Sequence, residues 1–342
     1  MSPPTLLQRH QIDDEAWNAL IEHSVHPVIY AYTWYLDCVS PDWQALIVDN
    51  AQDAEINPAS QRNISTYLIV MPLPVRKKWG TTIVHQPLFC QYLGLFSQKE
   101  ISEEILTLFL ESLNRCFAYV SVYDFHPRHT SLLQKLLPIF PDFEVRKKAT
   151  HWLNLEKSHA ELTSCYSHDR QKNLKKSKKC NWQCSKSKEV EPLIALFREN
   201  HAFKIQNVKE SAYVLLHSLA NTVLKQKAGS LQYASLRGEI HAGVMILEKN
   251  GTGIYIFNAA DEIGRKGNAR TFLLDRYFQR NTGQLETFDF ESPEVESIAR
   301  FYQSFGAECK SFISIKKNKL PFPLRQLQEF RQWVLSRLRT ST

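Results

Sequence analysis

No stretch of this 342-residue chain approaches the roughly 20 apolar residues that a membrane-spanning helix needs. Its opening, "MSPPTLLQRHQIDDEAWNAL", has neither a basic start nor a sustained apolar run. No secretory signal is therefore expected, and the chain is expected in the cytosol without membrane insertion. Seven cysteines, odd in number and scattered, argue against a disulfide framework. Cys38, Cys90, Cys116 and Cys309 stand among apolar neighbours and read as small core residues. Cys165, His168, Cys180 and Cys184 follow the spacing C-x2-H-x11-C-x3-C, which is no standard zinc pattern. They read as thiols flanking a basic loop, and no metal is expected. The nucleotide-binding pattern G-x-x-x-x-G-K-[ST] is absent, and the twelve histidines form no Ser-His-Asp or Cys-His arrangement.

What is present is an ordinary globular composition, 43% apolar and 23% charged, in a chain too long for one compact core. Two domains are expected, 1–150 and 151–342. No Pro/Gly-rich linker separates them, so they should pack as one body. The net charge of +7 is uneven, because "DRQKNLKKSKK" at 169–179 holds six basic residues and one acid. That +5 leaves only +2 for the rest of the chain. A local phosphate-facing segment explains this better than a general polyanion surface, with a solvated helix face as the bland alternative.

The first half reads as mixed α/β: a helix in "DDEAWNALIEH", strands in "WQALIVD" and "STYLIVMPLPV", a loop in "NAQDAEINPASQRN" between them, and a helix in "EEILTLFLESLNRCF" before the strand "AYVSVYDF". The second half repeats the alternation. Strands "SLQYASL", "IHAGVMILE" and "GIYIFNAA" are separated by Arg237-Gly238 and Asn250-Gly251, the latter a strong hairpin dipeptide. A helix from about Asn268 to Arg280, the strand "ETFDFE", a helix in "IARFYQSFGAE", the strand "CKSFISIKK" and a C-terminal amphipathic helix complete the chain.

Two connections carry chemistry. In "FNAADEIGRKGNARTFLLDRY" a strand runs through Gly264 and Gly267 into a helix. Glycines there let backbone N–H groups approach a phosphate, and a helix N-terminus adds a favourable dipole. Arg265, Lys266 and Asn268 flank the same turn. In the later helix Ser292 is a suitable N-cap, Pro293 fits the first helical position and Gly306 supplies the stop. Ile298, Phe301, Tyr302 and Phe305 share its inner face, which by itself makes Tyr302 a hydrogen-bonded core residue.

A glycine-bearing strand-to-helix turn, then a strand, then a helix with Ala299, Phe301-Tyr302 and Phe305-Gly306 resembles the Gcn5-related N-acetyltransferase (GNAT) superfamily. "MPLPVRKKWG", "HQPLFCQYLGLFS", "RQKNLKK", "FRENHAF", "FDFESPEVESIARFYQSFGAE" and "NKLP" resemble its FemAB-like branch, in which two such domains occur in tandem. The superfamily's pyrophosphate pattern [QR]-x-x-G-x-[GA] is met by "GRKGNA" at Gly267 and Ala269 but not at Gly264. The resemblance implies two tandem GNAT-like α/β domains with a groove between them. It also implies transfer of an acyl or aminoacyl group from acyl-CoA or aminoacyl-tRNA to a small-molecule or peptide amine, without a covalent enzyme intermediate.

On this reading Arg170, Lys172, Lys175 and Lys176 join Arg265, Lys266, Gly267 and Asn268 as donor-phosphate contacts. Asp289, Glu291 and Glu199 are candidate bases or amine-orienting groups, and each also reads as an exposed or salt-bridged acid. Tyr302 would protonate the leaving group. The strand "GIYIFNAA" would supply amides to the oxyanion. Gln86, Gln91 and Tyr92 lie in text like the branch's groove-lining segment and are offered as acceptor contacts, beside ordinary packing roles. Two alternatives stay open: an RNA-binding protein using 170–188, which has only Trp182 as an aromatic platform, and a non-catalytic ligand-binding member of the same fold.

Overall fold

The computed structural model describes residues 3–49, 67–78, 80–202, 208–291, 295–328 and 330. The first half contains β1 (Thr5–Gln8), α1 (Asp14–Glu22), α2 (Thr33–Val39), β2 (Gln44–Asp49), β3 (Tyr67–Leu73), β4 (Val75–Lys78), β5 (Thr81–Val84) and β6 (Phe96–Ser97). It continues through α3 (Glu103–Cys116), β7 (Tyr119–Asp124), α4 (Thr130–Leu136) and β8 (Glu144–Asn154). The second half runs α5 (His159–Ser164), α6 (His168–Lys179), β9 (Gln183–Ser187), α7 (Glu191–Asn200), α8 (Glu210–Lys225), β10 (Gly229–Leu236), β11 (Glu239–Lys249) and β12 (Thr252–Ala260). It ends with α9 (Glu262–Lys266), α10 (Ala269–Asn281), β13 (Thr287–Asp289), α11 (Glu296–Gln303) and β14 (Glu308–Asn318).

Local chemistry accounts for these elements. The Asp13 carboxylate caps α1 through the Ala16 N–H, and Trp17, Leu20 and Ile21 bury its apolar stripe. Asn250 and Gly251 both take positive φ, as the tight turn between β11 and β12 requires. The loop at 50–66, the Ser292 cap, Pro293 and most of the C-terminal helix fall outside the described residues; α11 begins at Glu296. Two expectations change. Of the four core cysteines only Cys90 is fully buried, because Cys116 ends α3 on its solvent side and Cys309 lies on the outward start of β14. Ile298 is exposed, leaving Tyr302 and Phe305 as the inner face of α11.

The strands form a four-stranded sheet, β1-β2-β3-β6, and a ten-stranded sheet, β4-β5-β7-β14-β8-β13-β12-β11-β10-β9. The large sheet is continuous across both halves, since β14 lies between β7 and β8 and pairs antiparallel with each. Residue 150, where the domain boundary was placed, is inside β8. One core spans both halves and includes Ile254, Ile256 and Ala259 of β12. A second core holds Tyr255 and Ala260 of β12 with Leu274, Phe288, Phe290 and Tyr302. Alternation along β12 thus turns its two faces toward different compartments. No helix among the described residues is long and apolar enough to cross a membrane.

Gly264 sits where a Cβ would lie 2.2 Å from the His241 carbonyl oxygen, a backbone atom that cannot swing aside. Gly264→Ala is therefore expected to destabilise the chain by about 1–3 kcal/mol. An unchanged urea midpoint would contradict this packing.

Candidate active site

β12 and β13 run parallel but pair over only three residues, Thr252–Ile254 with Thr287–Asp289. β13 stops at Asp289, whereas β12 continues to Ala260 against β11. Beyond Ile254 the β13 side of β12 therefore has no strand beside it, and a gap opens in the sheet. The bulge that leaves Ile256 without a partner on β11 lies at the mouth of this gap.

Two carboxylates stand at the gap. Asp289 has no solvent exposure and accepts from Tyr92 Oη at 2.5 Å, Thr150 Oγ1 at 2.5 Å, Trp152 Nε1 at 2.9 Å and the Glu291 N–H at 2.8 Å. Burial pushes its pKa up, and these four donors pull against it. Glu291 holds a left-handed backbone, φ 49°, which costs a non-glycine residue roughly 1–2 kcal/mol. Tyr30 donates to its Oε1 at 2.5 Å and the Gln91 backbone also bonds it. Burial, with Asp289 beside it, raises the Glu291 pKa to about 8. A carboxyl poised there exchanges a proton near neutral pH, as a general base requires.

The opposite face carries positive charge and hydroxyls. Arg170 is 5% exposed and has no carboxylate partner among the described residues. Its Nε donates to Ser304 Oγ at 2.9 Å, one terminal nitrogen donates to Thr271 Oγ1, and its plane lies over Phe301 and Phe305, 4.2 and 4.4 Å from the ring centroids. Burial lowers its pKa to about 10, and the like charge of Arg270 adds to the effect. Arg270, in the first turn of α10, donates to Asn258 Oδ1 at 2.9 Å on β12. An uncompensated buried cation costs about 3–5 kcal/mol, and hydroxyl and ring partners offset only part of that for Arg170. The N–H groups of the first α10 turn have no intrahelical acceptors and lie beside it.

Tyr302 stacks on Phe290 at 4.5 Å and meets Tyr255 edge-on at 6.1 Å. Its hydroxyl makes no hydrogen bond among the described residues, so it is not the hydrogen-bonded core tyrosine that helix spacing alone implied. The Tyr255 hydroxyl is fully buried and also lacks a partner. Burial pushes both pKa values well up, opposed by Arg270, so both stay protonated.

The other expected residues distribute as follows. The Gly264–Gly267 turn is a short helix, and its amides are used internally: Gly264 bonds Asp261 Oδ1, Gly267 the Ile263 carbonyl and Asn268 the Arg265 carbonyl. Arg265 reaches the Ala260 carbonyl at 2.8 Å, and Lys266 pairs with Glu262 on the surface. Asn268 takes left-handed backbone as the cap of α10. Lys172, Lys175 and Lys176 lie on the exposed face of α6, away from the inner stripe of Arg170, Leu174 and Ser177. Glu199 is exposed on α7 with no bond to Asp289 or Glu291. The Gln86 amide bridges the Cys90 carbonyl and the Asp124 N–H, a loop-holding role. Gln91 and Tyr92 reach the carboxylate pair directly. Sequence reading missed Arg270, Tyr255, Tyr30, Thr150 and Trp152. Arg270 alone had a local signal, its place just after the glycine turn.

This architecture is a FemAB-like tandem GNAT fold of mixed α/β class. The chain is similar to FemX, with a TM-score of 0.64 and 11% identity over 92% of this chain and 98% of that one. It is also similar to a conserved protein of unknown function from Bacteroides thetaiotaomicron VPI-5482, with a TM-score of 0.59 and 11% identity over 93% of this chain and 100% of that one. A tandem GNAT protein from the clavulanic acid biosynthesis pathway, solved without AcCoA, aligns over 93% of this chain and 99% of its own at 9% identity and a TM-score of 0.53. No family model and no curated protein sequence matches the chain.

Asp289→Ala strips the acceptor from four donors and is expected to cost at least about 2–3 kcal/mol, read from urea denaturation; a loss below about 1 kcal/mol would contradict the network. Glu291 has its own pH signature. Its folded pKa of about 8 exceeds its ordinary 4.5, so the folded state binds the extra proton. The stability it contributes is complete below about pH 4.5 and is lost as pH rises through about 8. Glu291→Gln should flatten that fall, and an identical fall in both proteins would overturn the assignment.

Proposed function

We propose that the chain is an N-acyltransferase that moves an acyl or aminoacyl group from a phosphate-bearing donor, acyl-CoA or aminoacyl-tRNA, to an amine. The observation that carries this reading is the buried Arg170, unmatched by any acid among the described residues and beside Arg270, on one side of a sheet gap whose other side holds Glu291. The tandem GNAT fold supports the same class of reaction. The exposed lysines of α6 extend the positive surface outward from the arginines.

The donor phosphate rests on Arg170, Arg270 and the first turn of α10. The acyl carbonyl then lies at the open edge of β12, where backbone N–H groups facing the gap stabilise the developing oxyanion. The acceptor enters on the side of Tyr30, Tyr92 and Glu291. Glu291 takes the proton from the ammonium, the freed nitrogen attacks the acyl carbon, and a tetrahedral oxyanion forms. Collapse breaks the bond to sulfur or ribose oxygen, the Tyr302 hydroxyl protonates the departing atom, and the second proton leaves the new amide nitrogen to restore the Tyr302 hydroxyl. Asp289 fixes Glu291 through its N–H and touches neither substrate. Positioning and fixed dipoles carry the reaction, so no covalent enzyme intermediate is required.

Acetyl-CoA and aminoacyl-tRNA titrations in thermal-shift and binding assays test the donor assignment. One of them should protect the protein. Arg270→Ala, at a partly exposed position, should weaken that donor about 10–100-fold, and Arg170→Ala at least as much where it folds. Lys175/Lys176→Ala should weaken it less. Protection by neither donor, or binding indifferent to Arg270, would overturn the reading. With the acceptor in hand, Tyr302→Phe should lower kcat by about 10²-fold or more without loss of stability, and the wild-type rate should rise with pH toward about 8 as Glu291 ionises.

A further inference from the structure

A cavity of about 110 Å³ lies where the loop at His26–Ile29 meets the start of β12 and β13. Its wall includes His26, Tyr92, His126, Arg128, Trp152 and Glu286, and none of Arg170, Arg270, Asp289 or Glu291 lines it. It is therefore distinct from the gap. A cavity of about 150 Å³ holds a benzene, so this one takes a ligand of about five non-hydrogen atoms.

The wall is unusually specific in its charges. His126 is 7% exposed, and its Nδ1 accepts from the Arg128 N–H at 3.3 Å. Burial holds the ring neutral, so its proton sits on Nε2. That N–H has no acceptor among the described residues, an unmet donor on a cavity wall. The Arg128 guanidinium lies 5.7 Å from the Trp152 ring centroid and is paired with no carboxylate there. Of the other charges, Lys249 is matched by Glu22 at 2.7 Å, and His26 stands 3.6 Å from Glu100. Glu286 is the one acid on the wall, and it is ion-paired neither with Arg128 nor with another described residue. The hydroxyls of Thr252 and Thr287 complete the polar lining.

An unmatched cation and an unmatched anion, too far apart to pair with each other, suit a ligand carrying both charges on a short frame. We propose that this cavity binds a small α-amino acid, its carboxylate held by His126 Nε2–H and Arg128 and its ammonium by Glu286. Tyr92 and Trp152 wall this cavity and also donate to Asp289. Occupancy therefore bears on the two donors that position the carboxylate pair. The proposal does not depend on the transfer reaction.

Calorimetric titration of the full chain with glycine tests it. Glycine should bind saturably, and Arg128→Ala and Glu286→Gln, both at exposed positions and in no ion pair among the described residues, should each weaken it at least about tenfold. Acetate and methylamine, each carrying half the charge pattern, should bind at least about tenfold more weakly than glycine. No glycine binding, binding that survives both substitutions, or acetate as tight as glycine would overturn the proposal.

Discussion

The Asp289 carboxylate lies wholly out of water, and its charge is tolerable only because four donors converge on it. Those donors come from separate parts of the chain: Tyr92 from the first half, Thr150 and Trp152 from β8, and the Glu291 N–H from just beyond β13. The network fixes where β13 ends, and therefore where the sheet opens. It also holds Glu291 in a left-handed backbone that a glutamate would not choose. The Tyr92–Asp289 bond makes the two halves one unit at the site, alongside the pairing of β14 with β7 and β8.

The opening divides the chemistry between the two faces of one sheet. The two faces of β12 point to different cores, so Ile254 faces the first half while Tyr255 faces α10 and α11. The bulge at Ile256 reverses the phase, so that Ala259 joins the first core and Ala260 the second. Negative groups and tyrosines gather on the first face, arginines and free hydroxyls on the second. Because the arginines have no carboxylate partner among the described residues, their field is available to a bound anion. Because Glu291 sits beside a second buried carboxylate, its proton is labile near neutral pH. Neither property resides in a single residue.

Much of this was legible in the sequence. The order of strands and helices followed from apolar periodicity and the Asn250-Gly251 hairpin from its dipeptide, while Asp289 and Glu291 entered as candidate bases and Tyr302 through the resemblance to GNAT domains. The basic run read as a helix, but its almost wholly polar composition hid that Arg170 points inward with Leu174 and Ser177 while the lysines point out. That distinction needs the helix phase relative to the core, which one leucine in the run does not set. The glycine turn read as an amide cradle, yet the five residues Glu262–Lys266 after β12 were enough for a short helix to consume its N–H groups. The Asp289 partners were out of reach for a different reason. Tyr92 lies 197 positions away and Thr150 139, and no local pattern announces a contact made only by tertiary pairing. Glu199 satisfied the chemical requirement for a base, but α7 leaves it at the surface.

A crystal structure of the protein with a bound donor, acetyl-CoA or a non-hydrolysable aminoacyl-RNA analogue, tests the central claim most directly. The account predicts phosphate density against Arg170 and Arg270 at the first turn of α10, with the acyl carbonyl at the open edge of β12 and facing Glu291 through the gap. Donor phosphate bound on the Tyr30 and Tyr92 face, or anywhere that leaves Arg170 without an anion, would contradict it.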